Sequence, residues 1–428
     1  MIKSPLFFFS LFFSFGFSVI AQNGIFVDNN VNCINTITRN TAIGDTIIHY
    51  VKTSDSTGHF LYNFSQGKPP LGHFKKIPIT GYDITDFTIV NDTIYMCGIK
   101  TNKRGFYGWI KFGSATGTVQ MNGLHLCDDT SFVTNPRRIR VFHNNHGNLV
   151  FLVADCSNRD YPSGIPVIAQ IRNGSDLSVA YTSDEYFDDF EVLDDYVVSV
   201  ARKGLNNPTK ASLYMRTAEK PTFLINDFLF KYCHTAKVNP ADSRVLLQQL
   251  KSNVFVAVYQ NNSGYYIDRH YVDNFVHIQI DQHITVSASV DKIDDVSYNR
   301  ADKSLMVLYN RNQNYMASRI NFSSYPLVSA DLLYYPAVSG YCSGCPALLM
   351  SLSRIGVSKF LVSGVLNNDF LLWNTNNSGC NISQSFTISP TSSSMGYFQN
   401  EPTFDSIGFE SIEVTLPVQD ITVPMICN

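Results

Sequence analysis

A pair of short apolar segments joined by an Asn/Asp turn recurs along this chain and constrains its fold more than any other feature. Residues 84–95 read ITDFTIVNDTIY, and residues 187–198 read FDDFEVLDDYVV. A third copy begins at residue 293, and the three copies place an Asp at the same point, as Asp86, Asp189 and Asp295. Asn and Asp tolerate the backbone angles of a tight reversal between two strands. The repeat therefore predicts β-hairpins and a structural role for the shared Asp.

The turn of the third copy, residues 299–303, has an echo earlier in the chain. Asn, Ala and Asp occur in it at positions 299, 301 and 302, and the same residues occur 60 positions earlier, at 239, 241 and 242. We expect the segment 238–246 to occupy the same place in its own repeat.

A further aromatic or apolar segment follows each hairpin, and seven such segments are spaced about fifty residues apart. They centre on Phe60, Tyr107, Val167, Leu213, Tyr266, Met316 and Leu371. Short strands and polar turns at this period are typical of one four-stranded propeller blade. We predict an all-β fold, a single β-propeller of about seven blades, with six or eight as alternatives. A pair of β-sandwiches or a β-helix is the competing architecture.

Composition agrees with β structure and excludes some partners. Aromatic residues make up 13% of the chain and charged residues 16%, and rings pack well on a pleated, half-buried surface. The net charge is −3 and no Lys/Arg cluster is present. Nucleic acids and anionic lipids need a basic surface, so we expect neither as a partner.

The first 21 residues have the layout of a secretory signal peptide. Lys3 precedes an apolar run, Leu6 to Ile20, and the small residue Ala21 precedes the expected cut. Residues 22–428 would then be the mature propeller. A retained anchor is the alternative, but it needs roughly 18 apolar residues. We predict a secreted, periplasmic or cell-surface protein with no transmembrane segment after signal removal.

Residues 386–428 are interpreted as a closing segment. The stretch 409–416, FESIEVTL, alternates like a strand, and the Ser/Thr/Pro-rich residues 389–394 precede it as a loop. We expect this strand to complete the blade opened near residues 24–50, which would remove exposed sheet edges. A cell-surface sorting element is the alternative interpretation.

The chain has nine cysteines, an odd number, so at least one stays unpaired within the chain or pairs with another chain. Export permits disulfides. The candidates are Cys342, Cys345, Cys380 and Cys427, whose bridges would tie the last blade to the tail. A structural zinc site made by the same four residues and unpaired burial are the alternatives.

Three further motifs are assigned structural roles. His143 and His146 lie in an Asn-rich turn that suits a hairpin better than a metal. The acidic run 184–195 could supply calcium ligands or glycosidase carboxylates, but strand alternation favours turns and solvent-facing positions, and a capping role for Asp189. Residues 53–60, TSDSTGHF, partly match the aspartate box of sialidase propellers, which is itself a structural turn.

The hairpins at residues 86–95 and 189–198 resemble those of secreted bacterial multi-bladed β-propellers. The signal ending Ala21-Gln22 is similar to those of Gram-negative envelope proteins. Repeated Trp-Asp and Gly-Gly signatures are absent, and the chain has two Trp in all. The resemblance therefore implies a fold and a compartment, and no functional residues.

From these features we expect an exported binding or scaffold protein with no cofactor, no metal and no catalytic residue. Its unknown partner would be a protein or a glycan held at a propeller face by aromatic-rich loops. The alternative is a glycan-processing enzyme, a hydrolase or lyase. Convergent carboxylates with raised pKa values in a deep channel would favour the enzyme, and a shallow apolar face would favour binding.

Overall fold

A computed structural model gives the structure of much of the chain. The described residues are 24–28, 30–40, 47–55, 57–63, 73–101, 104–112, 117–126, 133–144, 147–157, 165–172, 176–181, 185–193, 196–203, 212–219, 231–237, 245–261, 264–272, 278–286, 292–299, 303–311, 314–322, 330–334, 347–355, 359–366, 368–376, 380–383, 386–389, 403–406 and 409–427. The predicted signal peptide lies outside these ranges, as do Cys342, Cys345 and His146.

The described strands form seven antiparallel sheets, numbered here as blades 1 to 7. From the axis of the ring outwards, blade 1 contains β2 (Cys33–Asn40), β3 (Ile47–Thr53), β4 (Gly58–Asn63) and β5 (His73–Ile79). Blade 2 contains β6 (Tyr82–Val90), β7 (Thr93–Lys100), β8 (Gly105–Lys111) and β9 (Thr118–Leu126). Blade 3 contains β10 (Val133–Asn144), β11 (Gly147–Ser157), β12 (Ile165–Arg172) and β13 (Asp176–Tyr181).

Blades 4 to 7 continue the same order. They contain β14 (Glu185–Val192), β15 (Tyr196–Lys203), β16 (Ser212–Glu219), β17 (Lys231–Lys237); β18 (Leu246–Lys251), β19 (Val254–Asn261), β20 (Gly264–Val272), β21 (Ile278–Val286); β22 (Lys292–Asn299), β23 (Ser304–Arg311), β24 (Asn314–Asn321), β25 (Ala330–Tyr334); and β26 (Ala347–Ile355), β27 (Lys359–Leu366), β28 (Asp369–Asn376), β1 (Gly24–Asp28).

The first strands of the blades form a closed ring. Each of β2, β6, β10, β14, β18, β22 and β26 contacts the first strand of the next blade, and β26 contacts β2. The predicted seven-bladed, all-β propeller is therefore confirmed. The seven segments found at the fifty-residue period are the third strands of the seven blades, from β4 to β28.

The hydrophobic core lies between neighbouring blades. One cluster joins blades 1 and 2, where the rings of Phe60 and Phe87 meet edge to face at 5.2 Å and are fully buried. Another joins blades 5 and 6 and includes Val256 and Leu305. Each blade is too thin to bury both of its faces alone, so the high aromatic content is used where sheets stack.

The recurring hairpin is the inner pair of strands in a blade. Asn91 and Lys303, which lie in the β6–β7 and β22–β23 turns, both have a φ of 54°, an angle that these tight reversals require. The echo at 238–246 is not equivalent to the turn at 299–303. It joins β17 to β18, which belong to different blades, so the prediction that the two segments occupy the same place is wrong.

The N-terminal strand closes the ring. β1 pairs antiparallel with β28 and supplies the fourth strand of blade 7. The last strand of the chain, β34 (Met425–Cys427), pairs with the other edge of β1. The two ends of the described chain therefore meet in one blade.

The strands described between residues 380 and 427 form an outer belt. Its strands pair with the outer strands of blades 6, 5, 3, 2, 1 and 7 in that order, and they are β29 (Cys380–Ser383), β30 (Phe386–Ser389), β31 (Thr403–Ser406), β32 (Phe409–Pro417), β33 (Gln419–Thr422) and β34. Each pairing is antiparallel. Six blades thus have five strands, and blade 4 has four within the described residues.

The belt corrects one prediction. The strand at 409–416 does not complete the blade opened near residues 24–50, because β32 pairs along its whole length with β9 of blade 2. Polar contacts fasten it there: Glu410 Oε2 lies 3.0 Å from Arg104 Nη1 and 3.4 Å from His125 Nδ1. The belt covers outer sheet edges, which otherwise invite pairing with other chains.

Among the residues that the structure describes, no helix has the length and apolar character needed to cross a membrane.

Candidate functional site: the axial cavity

One cavity of about 210 Å³ lies where the inner strands converge. Six of the seven blades contribute to its wall, so it lies on the axis of the ring. Its lining residues are Thr38, Arg39, Thr88, Arg138, Arg140, Asp189, Glu191, Leu246, Leu247, Gln248, Asp295, Val296 and Ser297. We call this space the axial cavity.

A β-bulge recurs on the inner strands and orients the side chains beside the cavity. The register shifts by one residue in the first hairpin of every blade; in six of them the shift lies well before the turn, and in blade 5 it lies beside the turn. In those six blades the residue directly after the bulge is Asn35, Asp86, Arg138, Asp189, Asp295 or Ser351. A bulge turns the side chain that follows it away from regular alternation. In five of these blades the residue contacts a neighbouring blade, as Asp86, Arg138, Asp189, Asp295 and Ser351, whereas Asn35 is exposed.

Two of the repeated aspartates connect one blade to the next. The Ile139 backbone N–H of blade 3 donates to Asp86 Oδ2 of blade 2 at 3.2 Å. The Leu247 backbone N–H of blade 5 donates to Asp189 Oδ2 of blade 4 at 3.0 Å. Both carboxylates are almost fully buried. A buried carboxylate that accepts a backbone N–H forms one of the stronger hydrogen bonds in a protein.

The residues after the bulge in blades 6 and 7, Asp295 and Ser351, make similar links, which extend to blade 1. The Ser351 hydroxyl donates to Asp295 Oδ2 at 2.9 Å, and the Thr38 backbone N–H donates to Ser351 Oγ at 2.9 Å. In blades 2, 3, 4, 6 and 7 the side chain after the bulge therefore connects blades, which is a structural role at a position that the repeat singled out.

The placement of Asp189 corrects the expectation from strand alternation. Asp189 lies within β14 and is 1% exposed, rather than lying in a turn or facing solvent. The bulge between Phe187 and Asp189 is the cause, because it shifts the alternation by one residue.

Three arginines from two blades compensate the charge of the carboxylates. Arg39 Nη2 lies 3.1 Å from Asp86 Oδ1, and Arg140 Nη1 lies 3.2 Å from Asp86 Oδ2. Arg138 Nε and Arg140 Nη2 lie 3.6 and 3.7 Å from Asp189 Oδ1. Buried charges of one sign are costly unless opposite charges lie beside them, so the arginines and acids form one network.

The network moves carboxyl pKa values in opposite directions. Burial alone would raise the pKa of Asp86, but the guanidinium groups of Arg39, Arg138 and Arg140 outweigh it and hold that pKa below its ordinary value. At Glu191 burial dominates and raises the pKa, although Arg140 Nε lies 3.8 Å from its Oε1. One acid of the network is therefore strongly held as a carboxylate, and another accepts a proton more readily.

The oxygens of two of these acids are already engaged. Asp86 Oδ1 accepts a hydrogen bond from Arg39, and Asp86 Oδ2 accepts hydrogen bonds from the Ile139 backbone N–H and from Arg140. Glu191 Oε1 accepts from Val192 N at 3.1 Å, and its Oε2 accepts from Gln249 N at 3.4 Å. By contrast, Asp189 Oδ1 has no hydrogen-bond donor among the described residues.

Sequence reasoning missed the arginines. Arg138 and Arg140 are two residues apart on one strand, and Arg138 occupies the position of Asp86 in its own blade. A charge of opposite sign at the repeated Asp position was the available signal. It is weak without knowledge of the bulge, because an isolated Arg in a hairpin ordinarily faces solvent.

The aspartate-box-like residues form a turn between β3 and β4. Asp55 Oδ1 accepts from the Thr57 hydroxyl at 2.7 Å and from the Thr57 backbone N–H at 3.2 Å. The Thr53 hydroxyl also donates to Asp55 Oδ1, and this hydrogen bond first, then those from Thr57, lower the pKa of Asp55. The turn lies outside the axial cavity.

The disulfide candidates are placed in part. Cys380 begins the first belt strand on blade 6, and Cys427 ends the last belt strand on blade 7, so the belt begins and ends on neighbouring blades. Cys342 and Cys345 lie outside the described residues, and the pairing stays a prediction. Cys33 and Cys97 are buried and unbridged.

No metal cluster occurs in the described part of the chain, and few large hydrophobic side chains are exposed among the residues whose burial is described. No group of three or more His, Cys, Asp or Glu side chains there is arranged to hold a metal ion. The large hydrophobic side chains that are exposed there are Ile34 and Tyr271, on blades 1 and 5. His143 lies within β10 and pairs with Asn148 of β11, so it belongs to a strand of the hairpin and not to the turn in which the sequence placed it.

Comparisons with known proteins yield a structural likeness alone. No protein-family model matches the chain, and no curated protein matches it. Among solved structures, the chain is similar to Hsv2 of Kluyveromyces lactis, with a TM-score of 0.44 and 11% sequence identity over 80% of this chain and 98% of that one. At these values the likeness has no bearing on function.

Proposed function

We propose that this chain is an exported, non-enzymatic binding or scaffold protein of the cell envelope or extracellular space. It holds a protein or glycan partner at a face of the propeller. The observation that supports this function most is the engagement of Asp86 and Glu191, whose four carboxyl oxygens all face donors within the protein. A general acid or nucleophile needs an oxygen that can reach the substrate.

The chemistry of recognition is polar rather than aromatic. The described aromatic side chains serve mainly as interblade core, as Phe60 and Phe87 do. The axial cavity, by contrast, presents arginine, carboxylate, amide and hydroxyl groups beside a few aliphatic ones. A partner that presents polar groups to the mouth of the channel matches this surface.

One observation favours the enzyme alternative. Glu191 has a raised pKa and lines the axial cavity beside Asp189, and a carboxyl of raised pKa in a channel is a feature of glycosidase acids. A glycan-processing hydrolase or lyase is therefore the second candidate function.

One assay separates the two functions. The mature protein is incubated with a panel of polysaccharides and oligosaccharides, and both binding and product release are measured, the latter as new reducing ends or unsaturated products. We expect binding without product. Product release that disappears in Glu191→Gln but persists in Glu413→Gln, whose side chain is exposed on β32, would establish the enzyme instead.

Export is tested separately by cell fractionation and intact mass spectrometry. We expect the protein outside the cytoplasm with a mass that corresponds to residues 22–428. A cytoplasmic protein that retains residues 1–21 would contradict the proposed location.

A further inference from the structure

The walls of the axial cavity carry both signs of charge in close mixture. Arg39, Arg138 and Arg140 stand against the acids Asp189, Glu191 and Asp295. An anionic ligand at the arginines would lie beside these carboxylates, and a cationic ligand at the carboxylates would lie beside guanidinium groups less than 4 Å from them. Like charges so close in a partly desolvated site are repulsive. The cavity therefore disfavours ions of either sign.

Asp189 supplies an acceptor that the protein leaves unused. Its Oδ2 accepts the Leu247 N–H, but Oδ1 has no hydrogen-bond donor in the described structure, and the arginine nitrogens nearest to it, at 3.6 and 3.7 Å, are beyond hydrogen-bond distance. A buried carboxylate oxygen without a donor is destabilising, because it has lost its hydration without gaining a hydrogen bond. A ligand O–H would supply the missing hydrogen bond, and because Oδ1 has almost no exposed surface, the side chains of Arg138 and Arg140 beside it must shift to admit the hydroxyl.

The arginines that line the cavity require the opposite partner, a group on the ligand that accepts hydrogen bonds. The side chains of Arg39 and Arg140 stay 24% and 18% exposed, and a guanidinium group offers donors alone. A hydroxyl is the neutral group that donates to a carboxylate and accepts from a guanidinium at once. A ligand with several hydroxyls therefore satisfies both kinds of wall.

The remaining wall suits the carbon face of such a ligand. Leu246, Leu247 and Val296 line the cavity beside the polar groups of Gln248 and Ser297. The volume of about 210 Å³ is below the roughly 300–1,000 Å³ of pockets for drug-sized ligands. One small ring is the size that fits.

We infer that the axial cavity is a binding site for a single neutral sugar ring, such as the terminal unit of a glycan. A hydroxyl of the ring donates to Asp189 Oδ1 while other hydroxyls accept from Arg39 and Arg140. This inference rests on the proposed function, because it names the glycan as the partner and the channel as the place where its end is held.

The test is a titration of the mature protein with single sugars, followed by saturation-transfer NMR and calorimetry. The probes are glucose, galactose, mannose and N-acetylglucosamine, and the charged counterparts are glucuronate and glucosamine. We expect saturable binding of at least one neutral sugar and at least about tenfold weaker binding in Asp189→Asn, which loses a hydrogen bond to a charged acceptor. Ser297→Tyr, which fills the cavity, should abolish binding.

Asp83→Asn is the matched control, because Asp83 lies on β6 outside the cavity and pairs with Lys52. Melting temperatures of all variants confirm folding before binding is compared. The inference is overturned if folded wild-type protein binds no neutral sugar, if a charged sugar binds more tightly than its neutral counterpart, or if Ser297→Tyr binds like the wild type.

Failure of the inference and failure of the proposed function give different results. Capture of a polysaccharide that survives in Ser297→Tyr would overturn the axial sugar site and leave the binding function standing. Sugar binding at the cavity accompanied by product release would support the site and overturn the non-enzymatic function.

Discussion

Arg39 Nη1 and Asp295 Oδ2 lie 3.6 Å apart although their blades, 1 and 6, are not neighbours in the ring. The same guanidinium group places Nη2 3.1 Å from Asp86 Oδ1 of blade 2. Arg39 therefore connects blades on either side of its own. This contact needs the ring to be closed, because the blades 6 and 2 that it links are separated by blades 7 and 1.

Removing Arg140 should destabilise the propeller strongly. Its guanidinium group faces Asp86, Asp189 and Glu191, and Arg140→Met would leave buried carboxylates without their counter-charge. We expect a loss of about 3–5 kcal/mol in the free energy of unfolding, measured by chemical denaturation. Lys111→Met removes an exposed ion pair with Asp92, for which the expected loss is about 0–1 kcal/mol. Equal small losses in the two variants would contradict a charge network at the axis.

Glu191→Gln should change stability in a manner that depends on pH. Burial raises the pKa of Glu191 in the folded protein, so the stabilising effect of its protonated form is complete below its ordinary pKa of about 4.5 and is lost as the pH rises through the raised value. The variant should therefore gain stability relative to wild type as the pH increases from 4 to 8. Melting temperatures across this range, with Glu413→Gln as control, provide the check, and a difference independent of pH would refute the expectation.

Two buried histidines should make the protein sensitive to acid. Burial lowers the pKa of His49 and of His59 from 6.5 to about 3, so their contribution to stability is present above pH 6.5 and is lost as the pH falls towards 3. At pH 5 each should have cost about 2 kcal/mol. His49→Gln and His59→Gln should flatten the fall in unfolding free energy between pH 7 and 5. His73→Gln, an exposed position on β5, should leave it unchanged.

Deleting residues 403–428 should cause association between chains. The deletion removes four belt strands and uncovers the outer edges of blades 1, 2, 3 and 7, and uncovered edge strands pair with other chains. Light scattering after size exclusion should show oligomers, and the melting temperature should fall. The point variants Glu410→Gln and Asp420→Asn remove exposed ion pairs of the belt and should stay like wild type. A monodisperse truncated protein of unchanged melting temperature would argue against an edge-covering role.

Cys33 and Cys97 should resist alkylation in the native protein. Burial raises the pKa of the Cys33 thiol to about 12 and also raises that of Cys97, and the thiolate is the reactive form. Peptide mapping after iodoacetamide treatment should find both modified after unfolding alone. The same non-reduced map tests the predicted bridges among Cys342, Cys345, Cys380 and Cys427. A bridge that includes Cys33 or Cys97 would contradict the structure.

The repeat was readable because its signals are local. Asn91 and Asp92 mark a turn, and the alternation of apolar residues on each side predicts two strands whatever lies around them. The third strands were also found, since each is a short aromatic or apolar segment at a regular distance. The 60-residue echo misled because turn residues are alike in a hairpin and in a connection between blades.

The candidate site was readable in part. Asp86, Asp189 and Asp295 stood out as repeated positions, but the bulge that buries Asp189 changes alternation by one residue and leaves little trace in a single sequence. The belt escaped prediction for a related reason. The alternating sequence of a segment such as β32 predicts that it is a strand, but it does not indicate which of seven similar blade edges the strand pairs with.

By itself, the sequence determined the strand period, a count of about seven blades and the class of the fold, because turns and alternation depend on neighbours in the chain. The tertiary structure alone decided that Arg39 reaches Asp295, that three arginines surround buried acids and that described strands of the tail pair with the outer edges of six blades. These contacts join residues separated by tens to hundreds of positions, and they exist because interblade packing closes a circle and brings the inner strands to a common axis.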